Sequence, residues 1–239
     1  MAASLLLLVL AGIFLSATAG DPDILTDFVV PTNTDPTTID GSFFTYKSLI
    51  ATNPGDPDKF TLTKATHAEF PALLGQSVSY AALVFGAGTA NPPHIHPRAS
   101  ELLAVVQGPL VVGLVDAARN GTLYTAELQT GDVFVFPKGM VHFQFNNGTA
   151  VARAFSAFGS ASPGTISFPL ALLESGIDDV ILEKSLHADQ GTVDELKQDN
   201  APPPPTPAGP SSSADGGGMA SRSGVVAVIC LAVSYIYFS

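Results

Sequence analysis

Three histidines and one glutamate form the pattern in this sequence that is best suited to hold a metal ion. His94 and His96 lie two residues apart, Glu101 follows five residues after His96, and His142 lies in a later segment rich in turn residues. Neutral imidazoles together with a carboxylate suit a first-row transition metal, and this ligand set would accept manganese, iron, zinc, nickel or copper. Four protein ligands on an octahedral ion leave two positions open. The pattern therefore predicts a metal site at which chemistry could occur.

Strands and turns must position these four residues, because they are separated by segments rich in glycine and proline. Side chains alternate between the two faces of a β-strand, so the spacing of the histidine pair places both imidazoles on one face. Pro97 cannot donate to a central β-ladder, which predicts a turn before Glu101 opens the next strand. A strand over residues 141–146 would place His142 and Asn146 on one face. The strand ends would then bring the four ligands together.

The spacing around these residues resembles the two signature boxes of the cupin superfamily, in the form found in germins. The first box reads Gly88, five residues, His94-x-His96, four residues, Glu101, six residues, Gly108. The second box reads Gly131, five residues, Pro137-x-Gly139, two residues, His142, three residues, Asn146. Ten fixed positions match, and at about one chance in twenty per position a coincidence is implausible. From residue 21 to about residue 200 the chain is similar to the germin-like proteins of plants.

The resemblance implies a fold, a metal and an assembly. The fold is an all-β jelly-roll (cupin) barrel with short C-terminal α-helices. The metal is manganese, bound by His94, His96, Glu101 and His142. Germins are secreted and assemble as dimers grouped into hexamers, which implies a homo-oligomer for this chain. Strands that are apolar on both faces, such as residues 133–136, fit such an assembly, and cover by the N-terminal arm is the alternative.

Two reactions follow from the resemblance, and a third hypothesis requires no reaction. Superoxide dismutase activity in the extracellular space is widespread among germin-like proteins. Oxalate oxidase is the activity of the true germins, which orient oxalate with amide side chains. Asn91 matches one of these amides and Asn146 is a further candidate, but Ala81 stands where those enzymes carry an asparagine, which places oxalate oxidase second. The third hypothesis is a non-catalytic surface protein that binds a small ligand, a cell-wall polymer or a partner.

Short apolar segments separated by glycine and proline predict an antiparallel sandwich or barrel without reference to any family. The predicted strands are 77–85, 102–106, 110–116, 122–128, 133–136, 141–146, 151–158 and 165–168. The stretch from 59 to 74 is mixed and is assigned no strand. Helices are predicted at 169–174, 178–186 and 192–198. The mature chain thus divides into an N-terminal extended arm (20–58), a barrel (59–170) and C-terminal helices (171–200).

The two ends of the chain carry patterns typical of targeting signals. Residues 1–19 hold an apolar run too short to span a bilayer, followed by small residues, and predict a secretory signal peptide. Residues 201–223 form a Pro/Ser/Gly-rich stalk, and residues 224–239 form a hydrophobic tail that GPI attachment would remove, with Ser212 as the preferred site. A single tail-anchored helix is the alternative. These signals predict a protein secreted to the apoplast or cell wall, or held on the outer face of the plasma membrane.

Charge and cysteine content limit the possible partners. The chain has 21 acidic and 10 basic residues, and its net charge of −11 argues against nucleic acid as a partner. Such a surface attracts an anionic substrate only where the cleft is locally positive, and Arg98 is the basic residue nearest the ligands in sequence. The one cysteine, Cys230, lies in the tail, and Val29 occupies the position where germins carry a cysteine. The secreted domain must therefore rely on its core and subunit contacts rather than on a disulfide.

Two Asn-Gly-Thr sequences lie on predicted turns and are the predicted glycosylation sites. They begin at Asn120 and Asn147. An Asn-x-Thr sequence accepts an N-linked glycan when it lies on an exposed loop of a secreted protein.

Overall fold

A computed structural model describes residues 21–51 and 58–200, which fall into two compact units. The first unit ends at Ile166 and the second begins at Ser167. The segments predicted to carry targeting signals lie outside the described residues: the signal peptide (1–19), the stalk (201–223) with Ser212, and the tail (224–239).

Two five-stranded sheets, mostly antiparallel, account for the strands in the described part of the chain. The strands are β1 (Phe60–Ala65), β2 (Ser79–Phe85), β3 (Ala90–Ile95), β4 (Glu101–Gln107), β5 (Leu110–Asp116), β6 (Thr122–Leu128), β7 (Val133–Phe136), β8 (Val141–Phe145), β9 (Ala152–Phe158) and β10 (Ile166–Ser167). The first sheet has the order β1-β2-β9-β4-β7 and the second has the order β10-β3-β8-β5-β6. The predicted jelly-roll barrel is confirmed.

The barrel interior is an apolar core to which both sheets contribute. Phe85 on β2 and Leu103 on β4 come from the first sheet, and Leu110 and Val112 on β5 come from the second; all four are 0% exposed. Along β9 every second residue is buried, which is the period expected of a strand with one face inward. Each large apolar side chain in this core stabilises the fold by about 1.5–3 kcal/mol. The core therefore fixes the spacing between the sheets, on which any site between them depends.

The strand bounds predicted from the sequence agree with the structure to within two residues at each end. Two strands had no predicted bounds: β3, for which only the strand character of the histidine pair was expected, and β1, which lies in the stretch that was assigned no strand. Phe60, Leu62 and Lys64 of β1 lie opposite Phe85, Leu83 and Ala81 of β2 and share their face of the sheet, although Leu62 stays 43% exposed on this edge strand. The alternation of apolar residues was missed because its third position is a lysine.

The N-terminal arm is an extended segment with turns that contacts the barrel. The Asp21 carboxylate accepts hydrogen bonds from the Ser160 hydroxyl at 2.5 Å and the Ala161 amide at 2.6 Å. The Asp27 carbonyl accepts a bond from the Gln76 side chain at 3.0 Å. A 3-10 turn at Pro36–Thr38 and a short helix, α1 (Ser48–Ala51), interrupt the extended chain.

The second unit is helical where the structure describes it. Its helices are α2 (Phe168–Leu173), α3 (Asp179–Leu186) and α4 (Gln190–Asn200). Each helix buries one apolar residue, namely Leu173, Leu182 and Val193. Helix α4 contacts both α2 and α3, and Lys197 forms an ion pair with Asp179. None of the helices in the described ranges is long and apolar enough to cross a membrane.

Candidate metal centre

The four predicted ligands meet between the two sheets. His94 on β3 and His142 on β8 are cross-strand partners in the second sheet, and His96 follows one residue after the end of β3. Glu101 is the first residue of β4 and belongs to the first sheet. All four side chains are buried, with residue exposures of 1–6%. The sequence pattern and the register of the two sheets thus converge on one point inside the barrel.

The donor atoms are close enough to share one ion. The Nε2 atoms of His96 and His142 lie 3.0 and 3.1 Å from Oε2 of Glu101. The four donor atoms all lie within 4.8 Å of one another. Donors bound to one ion at about 2.0–2.2 Å are at most about 4.4 Å apart, so only a small contraction separates these positions from coordination. The residues therefore fit a metal ion held by three imidazoles and one carboxylate.

Backbone carbonyls orient the three imidazoles. Nδ1 of His94 donates to the Pro92 carbonyl at 2.8 Å, and Nδ1 of His142 donates to the Met140 carbonyl at 2.8 Å. Nδ1 of His96 donates to the Gly164 carbonyl at 2.6 Å. Because a carbonyl oxygen can only accept, the proton of each neutral ring lies on Nδ1 and Nε2 keeps its lone pair. Such bonds fix the tautomer and direction of metal-binding histidines.

Side chains from both sheets orient Glu101 as well. Its Oε1 accepts hydrogen bonds from the Ser156 hydroxyl at 2.5 Å and from the Gln144 amide at 3.5 Å, which leaves Oε2 facing the imidazoles. The Gln144 side-chain oxygen accepts in turn from the Asn91 amide at 2.8 Å. Ser156 was not identified from the sequence, although a serine on the otherwise apolar inward face of β9 was a usable signal.

Burial and neighbouring charge set the protonation of the site. Burial raises the pKa of the Glu101 carboxyl, but the hydrogen bonds and charges that His142 and His96 supply when their rings are protonated outweigh burial and hold the pKa below its ordinary range. Burial, followed by the charges of His142 and His96, lowers the pKa of His94 to about 3. Glu101 is therefore an anion and His94 a neutral imidazole at neutral pH, which are the states that bind a metal.

A small cavity of about 50 Å³ opens beside the ligands. Its lining includes Asn91 and Ala81, the two positions compared above with the amides of oxalate oxidase, and also Lys64. Apolar side chains, among them Leu83 and Phe158, form much of the remaining wall. Ligand sites for drug-sized molecules are about 300–1,000 Å³, so this cavity admits only a substrate of a few atoms.

Asn146, predicted as a substrate-orienting candidate, makes hydrogen bonds to backbone instead. It follows the end of β8 and is 0% exposed. Its Nδ2 donates to the carbonyls of Phe85, Gly86 and Ala150 at 2.8–3.0 Å, and its Oδ1 accepts from the Gly148 amide at 3.0 Å. The side chain has no remaining donor for a substrate, so Asn91 is left as the substrate-orienting candidate.

Arg98 stabilises a loop rather than the cavity wall. Its Nε donates to the Ser162 carbonyl at 2.5 Å, and its backbone amide donates to the Pro163 carbonyl at 3.1 Å. These bonds hold the loop that presents the Gly164 carbonyl to His96. Of the described residues that line the cavity, the basic one is Lys64 and not Arg98.

The two predicted glycosylation sites lie on the surface. Asn120 is exposed in the turn between β5 and β6, and Asn147 is exposed two residues after the end of β8. Their accessibility suits glycan attachment, which stays a prediction.

Comparison with known proteins places this architecture in a family. Residues 48–194 match the cupin family. The chain is 72% identical over 237 residues to Germin-like protein 9-1 of rice, Oryza sativa subsp. japonica, covering 98% of this chain and 96% of that protein. The chain belongs to the germin-like proteins of the cupin family. A second rice relative of this germin-like chain, Putative germin-like protein 9-2, is 54% identical over 203 residues and covers 83% of this chain and 94% of that protein.

Solved structures of oxalate oxidase resemble the germin-like chain. One is 34% identical with a TM-score of 0.69, and the match covers 76% of this chain and 98% of that chain. A second, with the same identity, coverage and TM-score, is a complex with the substrate analogue glycolate. The similarity spans the barrel that carries the four donors, so this germin-like chain has a possible metal site in a cupin fold.

Replacing Ser156 tests whether the support of Glu101 matters for metal binding. Ser156→Ala removes the hydroxyl that fixes Oε1, and we expect metal affinity to fall about 10–100-fold, as is usual when the support of a ligand is lost. Competition with a chelator, followed by metal analysis, measures the affinity.

Ser79→Ala is the matched control, because Ser79 is also a buried serine and donates to the Ser160 carbonyl at 2.7 Å. It should lower the free energy of unfolding by about 1–3 kcal/mol and leave metal affinity unchanged. Equal metal affinity in Ser156→Ala and the unsubstituted protein would contradict the role given to Ser156.

Proposed function

We propose that this chain is an extracellular manganese-binding germin-like protein with superoxide dismutase activity. The observation that carries the proposal is the buried His94, His96, Glu101 and His142 cluster, which opens into a cavity of about 50 Å³ with Ala81 in its wall. A small cavity with a metal site but few orienting groups suits a diatomic substrate, which needs little orientation.

In the proposed reaction two superoxide ions and two protons give one dioxygen and one hydrogen peroxide. A bound manganese ion would supply the one-electron redox chemistry, alternating between its divalent and trivalent states. The chain would hold that ion through three Nε2 atoms and Oε2 of Glu101, with Ser156 and Gln144 keeping the carboxylate in place. Leu83 and Phe158 in the cavity wall limit access of water and larger molecules.

Oxalate oxidase is the second candidate, and two observations favour it. The solved structures of that enzyme share the barrel at 34% identity, and Asn91 lines the cavity. Two others count against it. Ala81 offers no amide, and the amide of Asn91 already donates to Gln144 at 2.8 Å. A reaction that depends on substrate orientation loses rate when an orienting hydrogen bond is missing, so we place this activity second.

A non-catalytic surface protein is the remaining alternative. The cavity of about 50 Å³ cannot enclose a segment of a cell-wall polymer. Such a ligand would therefore have to bind the outer surface of the barrel, and the metal would act only as a structural element.

His142→Ala tests the metal and the reaction together. The full chain, expressed in a plant host and purified under metal-controlled conditions, should contain manganese and remove superoxide. His142→Ala should lose both, because one of four donors is gone. His67→Ala is the matched control, since His67 lies outside the four-residue cluster. Zinc or nickel in the unsubstituted protein would contradict the manganese assignment, and metal without either activity would favour the binding protein.

The same preparation separates the two reactions through Ala81→Asn. This substitution supplies an amide in the cavity wall, so we expect oxalate consumption to increase about tenfold or more relative to the unsubstituted protein. Efficient oxalate oxidation by the unsubstituted protein, without superoxide removal, would reverse the order of the two candidates.

We further propose that the chain forms a homo-oligomer, from a dimer to a hexamer. The outer face of the first sheet exposes a row of apolar side chains, with Leu102, Val106, Val133 and Val135 each 45–56% exposed. Strand β7, which carries the two valines, is also an edge strand of its sheet. Exposed apolar patches and open edges favour association, and the residues that the structure describes include no cysteine that could link subunits instead.

Charge placed on this face tests the assembly. Leu102 and Val135 are cross-strand partners, so Leu102→Glu with Val135→Glu places two charges side by side. We expect the double variant to sediment as a smaller species than the unsubstituted protein. Leu25→Glu, at a fully exposed leucine of the arm, is the control and should leave the mass unchanged. A monomeric unsubstituted protein would contradict the proposal.

The proposed location is the apoplast or cell wall, or the outer face of the plasma membrane through a GPI anchor at Ser212. The alignment with the rice protein covers 98% of this chain, so that protein matches the leader and tail as well as the barrel. We expect a phosphatidylinositol-specific phospholipase to release the chain from plant membranes. Release by detergent alone would favour the tail-anchored helix.

A further inference from the structure

Lys64 lies on the face of β1 that continues the core-facing row of β2. On β1 the residues Phe60, Leu62 and Lys64 lie directly opposite Phe85, Leu83 and Ala81 of β2. Directly opposed residues of an antiparallel pair share one face of the sheet, and these three residues of β2 belong to the buried core. Lys64 therefore occupies a position on β1 where the two preceding residues of the same face are apolar.

The side chain of Lys64 reaches the cavity because its opposite neighbour is small. The small side chain of Ala81 leaves space beside Lys64. Both residues line the cavity together with His94, His96 and Glu101. The Lys64 side chain is only 24% exposed. Burial lowers the pKa of its ammonium group, and the charge of Glu69 opposes that shift. A lysine starts from a pKa of about 10.4, far above neutral pH.

Glu69 is held beside Lys64 at the distance of a loose ion pair. Its Oε2 accepts hydrogen bonds from the Thr66 amide at 3.0 Å and the Thr66 hydroxyl at 2.6 Å. Its Oε1 lies 4.0 Å from Nζ of Lys64, which is longer than a hydrogen bond. A partly exposed pair at this distance stabilises a fold by only about 0–1 kcal/mol. This ion pair alone therefore gives little reason for a cation in this wall.

We propose that Lys64 attracts small anions into the cavity and positions them beside the metal ligands, with Glu69 moderating its charge. The inference rests on the proposed function, which assigns the cavity an anionic substrate. The anion is either a monoanion such as superoxide or one carboxylate of oxalate. The net charge of −11 repels anions from the protein as a whole, so a cation in the cavity wall has a specific task.

Anion binding to the metal-loaded full chain tests this role without requiring turnover. Azide serves as the probe for a monoanion and oxalate as the probe for a dicarboxylate, and titration calorimetry gives each dissociation constant. Lys64→Met, which keeps the length of the side chain and removes its charge, should weaken binding about tenfold. Lys64→Arg should restore binding to within about threefold of the unsubstituted protein, because the charge returns.

Two further variants separate charge in the cavity from charge elsewhere. Lys184→Met changes the net charge equally, but Lys184 is exposed on α3 and does not line the cavity, so it should leave binding unchanged. Glu69→Gln removes the opposing charge and should tighten anion binding about threefold. If Lys64 had only a structural role, Lys64→Met and Glu69→Gln would not change anion affinity in opposite directions.

The outcomes distinguish this inference from the proposed function. Weaker azide binding in Lys64→Met, with unchanged metal content, supports the inference even if the unsubstituted protein turns over neither superoxide nor oxalate. A larger loss for oxalate than for azide supports a dicarboxylate as the natural anion. Unchanged binding of both probes, or loss of the metal in Lys64→Met that arginine does not rescue, would overturn the role of Lys64 whatever the reaction.

Discussion

The convergence of three imidazoles on one buried carboxylate is the interaction on which the rest of this structure depends. Glu101 is 2% exposed and comes from one sheet, whereas His94 and His142 come from the other. A buried carboxylate without partners costs several kcal/mol. Here its Oε1 accepts two side-chain hydrogen bonds and its Oε2 faces two Nε2 atoms. The apolar core sets the spacing between the sheets, and a cation bound among these donors would link them.

The sequence predicted the metal ligands well because their spacing is a local signal. It predicted the groups that orient these ligands poorly, because several of those groups are distant in sequence. The carbonyls that orient His94 and His142 lie two residues before them, but the carbonyl that orients His96 belongs to Gly164, 68 residues later. Ser156 meets Glu101 across 55 residues. Such contacts follow from the register of neighbouring strands, which spacing in one segment does not determine.

Asn146 and Arg98 both show that closeness to the ligands in sequence does not determine where a side chain points. Asn146 is four residues after His142, a spacing that would place both side chains on one face of a strand. Strand β8 ends at Phe145, however, and the Asn146 side chain donates to loop carbonyls instead. Arg98 is close to the ligands in sequence, yet its guanidinium is bound to Ser162. Lys64 is 30 residues from the first ligand and lines the cavity, because β1 and β2 pair in a register that sets it opposite Ala81. The strand pattern gave the fold class, whereas the cavity wall depended on register.

The position of Lys64 also changes how the negative charge of the chain bears on function. A net charge of −11 counts against an anionic substrate at long range. At physiological ionic strength, however, exposed charges are largely screened beyond about 8 Å. A cavity of about 50 Å³ is only a few ångströms across, so an anion inside it responds mainly to the groups in the wall. Those groups include a lysine, and the positive charge of a bound divalent metal would exceed the single negative charge of Glu101. With such an ion bound, the electrostatic potential inside the cavity would be positive although the protein is acidic, so the overall charge does not exclude superoxide or oxalate.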